Sequence, residues 1–307
     1  MNNRYFQFSL DTSSKKYFCP QCQRKTFVLY IDNDTGQPLS DGVGRCDRLD
    51  NCAYHYTPKQ FFEDNPDVGN EQRIPLHIHR HVVMEKPRPI DYINLEVVQK
   101  ANYLPYENRL PHERNTLFQY IAGICGNTLT QKAFVKYGVG TAKDGATIFW
   151  QWDEKLNVRT GKIIRYKADG HRDHDNPPFW AHTKMKSDFN LKQCLFGQHL
   201  LSSTTHKVAI VESEKTAIVA SIYYPEFVWL ATGGICNLQP DKCEVLRNKD
   251  VVLFPDLKAT EKWREKANHL RSICRTITVS DYLERIATDE ERAKGLDLAD
   301  FLLRNKP

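Results

Sequence analysis

Four of the nine cysteines in this 307-residue chain are spaced as metal ligands. Cys19 and Cys22 form a CPxC knuckle, and Cys46 and Cys52 return after a hairpin-like run. FVLYI, the turn residues NDTG and then GVGRC predict strands that bring the two pairs together. Four thiolates close a tetrahedral zinc shell, and the metal supplies folding energy that a core of roughly 50 residues does not. The second pair is more widely spaced than in the tightest zinc ribbons, and His55 could replace one sulfur.

A second constellation is made of acids. Glu212 ends the apolar run KVAIVE, with Ser213 at the N-cap position of the segment that follows. Asp256 ends VVLFPD in the same way. Sites in open parallel sheets form at the carboxyl ends of strands, so both carboxylates are expected at one crevice. Asp297 and Asp300, in KGLDLADFLL, form a further acidic patch near the chain end. Carboxylates gathered this way bind Mg²⁺ or Mn²⁺, which orients phosphates and offsets charge in phosphoryl transfer. Taken singly, each acid is better explained as a helix cap. Two residues beyond Asp256, where a metal site would want a second carboxylate, stands Lys258.

Other polar clusters carry less. His77, His79 and His81 alternate in PLHIHRHVVMEKPRPI, with prolines on both sides and no acid or cysteine beside them, which reads as a linker strand. His171 and His174, in ADGHRDHDNPP, fall in a turn-rich loop. Basic residues interleaved with aromatics are the pattern for phosphate neutralisation and base stacking. Arg165, Tyr166, Lys167 and Arg172, then Phe179, Trp180, Lys184 and Lys186, fit it. So do Arg24, Lys25, Arg45 and Arg48 beside the cysteines.

The elements that must position these groups alternate along the chain. DYINLEVVQKANYL and LPHERNTLFQYIAGIC have helical spacing, and ATIFWQWDEKLNVRTGKIIRYKADG predicts strand, turn, strand. KVAIVE, FVWLAT, DVVLFPD and TITVSDYL then predict strands, with SEKTAIVASIYY and ATEKWREKANHLRSIC as helices. That alternation marks a parallel α/β sheet. The expected organisation is a zinc-ribbon module over 1–64, a linker over 65–90, a basic α+β segment over 91–203 and a parallel sheet flanked by helices over 204–307.

Bulk properties agree with a globular chain: 40% hydrophobic, 26% charged and 11% aromatic residues. A net charge of +5 is too small to argue for a polyanionic partner by itself. MNNRYFQFSL is not a basic-then-apolar leader, and no run reaches the ~18 apolar residues of a membrane span. Cysteines in such a chain are expected reduced or metal-bound, in the cytoplasm and away from membranes. No GxxxxGK[ST] loop occurs, so no motor of that type is expected.

VAIVESEKTA, LATGG, VVLFPDLKA and GLDLAD, in this order, resemble the motifs of a TOPRIM domain, the fold shared by bacterial primases, topoisomerases and some nucleases. Upstream, KYGVGTAKDGATIFWQWDEKLNVRTGKIIRY, PPFWAHT and LFGQHLL are similar to the segment that precedes TOPRIM in bacterial DnaG-type primases. With the zinc module in front, the order is that of primase-like proteins carried by plasmids and integrative elements. The resemblance implies that Glu212 is the TOPRIM glutamate, Asp256 the first acid of DxD, and Asp297 and Asp300 the later acids. Arg165 resembles the arginine of a basic ridge. The departures are Lys258 at the second acid of DxD, Ser213 in place of a glycine, and Pro177 and Pro178 near an expected ridge lysine.

The function so implied is metal-dependent nucleotidyl transfer on single-stranded DNA in replication or excision of a mobile element. Nucleotides and the element's own replication or excision proteins are the further partners. Glu212, Asp256 and Asp297 would be catalytic, and Arg165, Lys167, Arg172, Lys184 and Lys258 would contact nucleic acid. The alternative is a catalytically impaired TOPRIM protein acting as a single-stranded nucleic-acid-binding accessory factor. Strand cleavage by a tyrosine is disfavoured, since Tyr223 and Tyr224 lie in a predicted core helix.

Overall fold

The computed structural model describes residues 6–49, 52–65, 88–102, 111–202 and 206–307. Contacts divide the chain into two compact units, Met1–Met84 and Glu85–Pro307. The alternating histidines 77, 79 and 81 lie outside the described residues.

The first unit is an antiparallel sheet of β1 (Phe8–Leu10), β2 (Tyr17–Phe18), β3 (Lys25–Asp32), β4 (Gly44–Cys46) and β5 (His55–Tyr56), closed by helix α1 (Pro58–Asp64). Alternation along β3 sends Phe27 and Leu29 inward, where they meet Cys19 and Cys46. Gly44 faces this core so closely that a Cβ would stand 2.2 Å from the Val28 carbonyl oxygen and 2.6 Å from the Phe27 ring. Thr57 and Gln60 form a capping box at the start of α1, with Pro58 in its first turn. So few apolar residues make a marginal core, and this unit depends on its cysteines.

The second unit holds two sheets. Helix α2 (Leu95–Asn102) precedes α3 (Thr116–Cys125) and α4 (Asn127–Lys136). The Asn115 side chain accepts the Phe118 N–H at 3.1 Å and so caps α3. Antiparallel strands β6 (Gly140–Thr141), β7 (Thr147–Trp152), β8 (Val158–Ile164) and β9 (Phe179–Trp180) pair in sequence order. Trp150 lies opposite Gly161, where a Cβ would come within 2.5 Å of its ring, so glycine is required for the indole to lie flat across β8.

The second sheet is parallel, in the order β11-β10-β12-β13, from β10 (Val208–Val211), β11 (Val228–Ala231), β12 (Asp250–Leu253) and β13 (Thr276–Val279). Between β10 and β11 runs α5 (Glu214–Tyr223). Short α6 (Pro240–Cys243) precedes β12, and α7 (Thr260–Leu270) follows it. Three short helices end the chain: α8 (Tyr282–Ile286), α9 (Asp289–Lys294) and α10 (Leu298–Leu302). VAIV and VWLA are buried at every position because helices cover both faces. Ala209 and Val211 pack with α3, α4, α5 and α10, whereas Val208 and Ile210 pack with α7. Tyr137, which caps the end of α4, is fully buried and donates its hydroxyl to the Trp229 carbonyl of β11 at 2.8 Å. Among the described residues, no helix is long and apolar enough to cross a membrane.

Candidate metal centre and acidic cleft

In the first unit the four cysteines converge. Cys19 and Cys52 Sγ are 3.6 Å apart, Cys22 and Cys46 Sγ 3.9 Å, and all four lie within 4.8 Å of one another. A tetrahedron with Zn–S bonds of about 2.3 Å has edges of about 3.8 Å, which the two shortest sulfur pairs already match. The backbone N–H of Arg24 points at Cys22 and, with the neighbouring thiols, lowers its pKa to about 6. Cys52 is pushed up to about 11: the Tyr54 N–H opposes the rise, but burial and the three facing cysteines outweigh it. Zinc binds cysteine as thiolate, so four sulfurs gathered this closely suit a shared cation. His55 is not part of this set: the group gathered within 4.8 Å holds only the four thiols, and the His55 Nε2 meets the Tyr30 hydroxyl at 2.9 Å.

In the second unit Glu212 directly follows β10, and Asp256 follows β12 by three residues. These strands are adjacent and parallel, with Ile210 beside Leu253, so both acids stand at one carboxyl rim. Asp297 and Asp300 arrive from the N-terminus of α10, where each carboxylate accepts the other's backbone N–H at 3.0 Å. Thr216 of α5 donates to Asp297 Oδ2 at 2.8 Å, fixing α10 against the sheet helix.

The four acids feel one another. Asp256 is partly buried, and its carboxyl is pushed up to about 8, first by burial and then by the charges of Asp297, Glu212 and Asp300, with Lys215 opposing. Its carboxyl is therefore protonated at neutral pH until something positive arrives. Beside it opens a cleft of about 300 Å³ lined by Glu212, Glu214, Asp297 and Asp300 on the acidic side. Lys162, Lys215, Arg172, His171 and His174 line it as well.

Lys162 of β8 bridges the two sheets here. Its ammonium donates to both Glu214 carboxylate oxygens and to the Gly233 carbonyl, each at 3.2 Å. Glu214 is 2% exposed, so this is a buried ion pair. Lys215 Nζ stands 3.6 Å from Asp300 Oδ1. Tyr166 lies on the same wall, and burial, then the Glu214 charge, raise its pKa well above the usual phenol value, keeping the hydroxyl neutral.

The remaining sequence candidates lie elsewhere. Arg165 is paired with Asp144, and Lys167 and Lys184 are exposed, with none of the three lining the cleft. Arg172 does line it. Lys258 does not: it faces a separate hollow shared with Thr260, Glu261 and Glu284. Lys162 and Lys215 are cleft residues that the basic-cluster reading passed over, and His171 and His174 are cleft residues that it discounted. Alternation offered a signal for Lys162, since Lys162, Ile164 and Tyr166 share one side of β8 and all three line the cleft.

The acidic cleft fits a hard divalent cation by donor chemistry: carboxylate oxygens in excess, one of them held protonated by its neighbours. Among the described residues, however, only the four thiols form a set of three or more such donors all within 4.8 Å of one another.

Residues 6–67 match the model of a zinc beta-ribbon finger family, and residues 115–257 match a family described as a domain of unknown function, DUF6371. No curated protein matches the chain. Among solved structures, it is similar to the primase fragment of the bacteriophage T7 primase-helicase protein, at 15% identity and TM-score 0.36, over 92% of this chain and 98% of that one. It is also similar to the zinc-binding and RNA polymerase domains of Aquifex aeolicus primase, at 11% identity and TM-score 0.38, over 96% and 80%. A DNA primase domain from Pseudomonas aeruginosa is 13% identical over 57% of this chain and 60% of that one, at TM-score 0.31.

Proposed function

We propose that this chain is a primase-like nucleic-acid-binding protein whose second unit carries a TOPRIM-type cleft for metal-dependent nucleotidyl transfer on single-stranded DNA. The observation that carries the reading is the crowding of the partly buried Asp256 by Glu212, Asp297 and Asp300, three acids of a cleft that lysine, arginine and histidine also line. Glu212, Asp256, Asp297 and Asp300 would hold Mg²⁺ or Mn²⁺. The cation, when bound, supplies charge neutralisation to phosphate oxygens and polarises an attacking hydroxyl. Arg172 would meet phosphate oxygens in the cleft, while Lys215 stays beside Asp300, Lys162 holds Glu214 in place and Tyr166 presents a neutral hydroxyl donor. The zinc ribbon, with exposed Arg24 and Lys25, is a second surface for the strand. The setting favoured by the motif order is replication or excision of a mobile element.

Template-dependent RNA synthesis by the purified chain is the direct test. Product is expected with Mg²⁺ or Mn²⁺, and Glu212→Gln should abolish it. No product from wild-type chain on a panel of single-stranded templates rejects the enzymatic reading. One observation favours the accessory-factor reading instead: no second acid joins Asp256 on its own loop, since Lys258 stands there and faces away. That reading expects salt-sensitive binding to single strands that survives both Glu212→Gln and removal of Mg²⁺.

A further inference from the structure

Lys258 has positive φ (+69°), a conformation that costs a residue with a side chain on the order of 1–2 kcal/mol and persists only where its surroundings demand it. Its surroundings do. The Lys258 backbone N–H donates to Glu284 Oε1 at 2.9 Å, and its ammonium donates to the Ala293 carbonyl at 3.0 Å. Thr260 Oγ1 donates to the same Glu284 oxygen at 3.4 Å, and Arg292 pairs with the other. One residue earlier, the buried Leu257 donates its N–H to the Leu296 carbonyl at 3.3 Å. Every partner lies in the stretch from α8 through α9 to Leu296, which runs straight into Asp297.

The loop carrying Asp256 and the segment delivering Asp297 and Asp300 are therefore fastened by four hydrogen bonds, three of them made by Lys258 or Glu284. Asp256 follows a sheet strand and Asp297 and Asp300 begin a helix, and carboxylates that share a cation must keep a fixed separation. We propose that Lys258 and Glu284 form a clasp that sets the spacing between Asp256 and the Asp297–Asp300 pair. Lys258 is thus a positioning residue for the cation site, neither a ligand nor a substitute for the ion. The inference rests on the divalent-cation reading of the cleft given above.

Mn²⁺ binding to the full chain, followed by electron paramagnetic resonance and calorimetry, separates the two. In wild type, binding that Glu212→Gln abolishes is expected. Lys258→Met keeps the aliphatic stem but loses the donor, and should weaken Mn²⁺ about 10-fold, the effect typical of removing an outer-shell partner. Lys258→Arg, which can still reach the Ala293 carbonyl, should restore most of the affinity. Lys258→Asn, a residue type that adopts positive φ readily, should keep the wild-type melting temperature yet share the loss of affinity, a combination that a purely structural role does not produce. Wild-type affinity in both the Met and Asn variants, or tighter binding in Lys258→Asp, overturns the clasp while leaving the cation site standing. Absence of any Glu212-dependent Mn²⁺ binding in wild type overturns both.

Discussion

Asp256→Asn replaces a carboxyl that the fold holds protonated with a neutral amide of the same shape. Its consequence depends on pH. The folded, metal-free chain ionises Asp256 only near pH 8, against an ordinary value of 3.8. Between those limits the folded state keeps a proton that the unfolded state has released, so wild-type stability falls as pH rises across that window and levels off above it. Four units at about 1.4 kcal/mol each set a ceiling of about 6 kcal/mol. Asp256 is only partly buried, and water and side-chain relaxation should leave about 2–3 kcal/mol of this. The amide has no proton to lose. Asp256→Asn should therefore match wild type at about pH 3, lead it by about 1 kcal/mol at pH 4.5 and by about 2–3 kcal/mol at pH 8.

Urea midpoints from pH 4.5 to 8.5, in Mg²⁺-free buffer that leaves zinc in place, measure the difference directly. Every other ionisable group is common to both curves, so their separation is the quantity to follow. Millimolar Mg²⁺ should then narrow the gap at pH 8 by stabilising wild type more than the variant. Parallel curves across the whole range, with or without Mg²⁺, refute the carboxylate crowding from which the cleft is argued.

Two further outcomes follow from the geometry. Removing zinc with a thiol-directed mercurial should release one ion per chain and open residues 6–65 to protease, because the small core around Phe27 and Leu29 forfeits about 10 kcal/mol of metal-linked folding energy. Lys162→Met should strand the buried Glu214 carboxylate and cost about 3–5 kcal/mol in urea unfolding, most of it recovered in the double variant with Glu214→Gln.

The parallel sheet and the acids at its rim were legible because the signals are local. VAIV and VVL are short apolar runs, each followed within a few residues by a carboxylate, and a buried strand that reaches a crevice leaves just that trace. The cysteine spacing was equally readable, since convergence of two knuckles needs only a hairpin between them. The wall opposite the acids was harder. Basic residues in GKIIRYK look like one cluster, yet the two-residue period of β8 and its continuation divides them, with Lys162 and Tyr166 toward the acids and Arg165 toward Asp144. For His171 and His174 there was no periodicity to use. Their loop is placed by Gly170, where a Cβ would meet the Tyr120 ring at 2.2 Å, a long-range contact invisible in the loop's own composition.

Lys258 shows why charge arithmetic along the sequence misleads at such a site. Placed two residues from Asp256, an ammonium at about 4 Å would oppose a cation by several kcal/mol even at an effective dielectric near 20. A backbone with φ of +69° sends it instead to the Ala293 carbonyl. The lysine that acts on Asp256 is Lys215, from the first turn of α5 and forty-one positions earlier in the chain. Four carboxylates, Glu212, Glu214, Asp297 and Asp300, line one cleft with Lys162, Lys215 and Arg172, and the charges of three of them reach Asp256 outside that lining. The raised pKa of Asp256 is the trace of that crowding, and no count of charges along the chain would have found it.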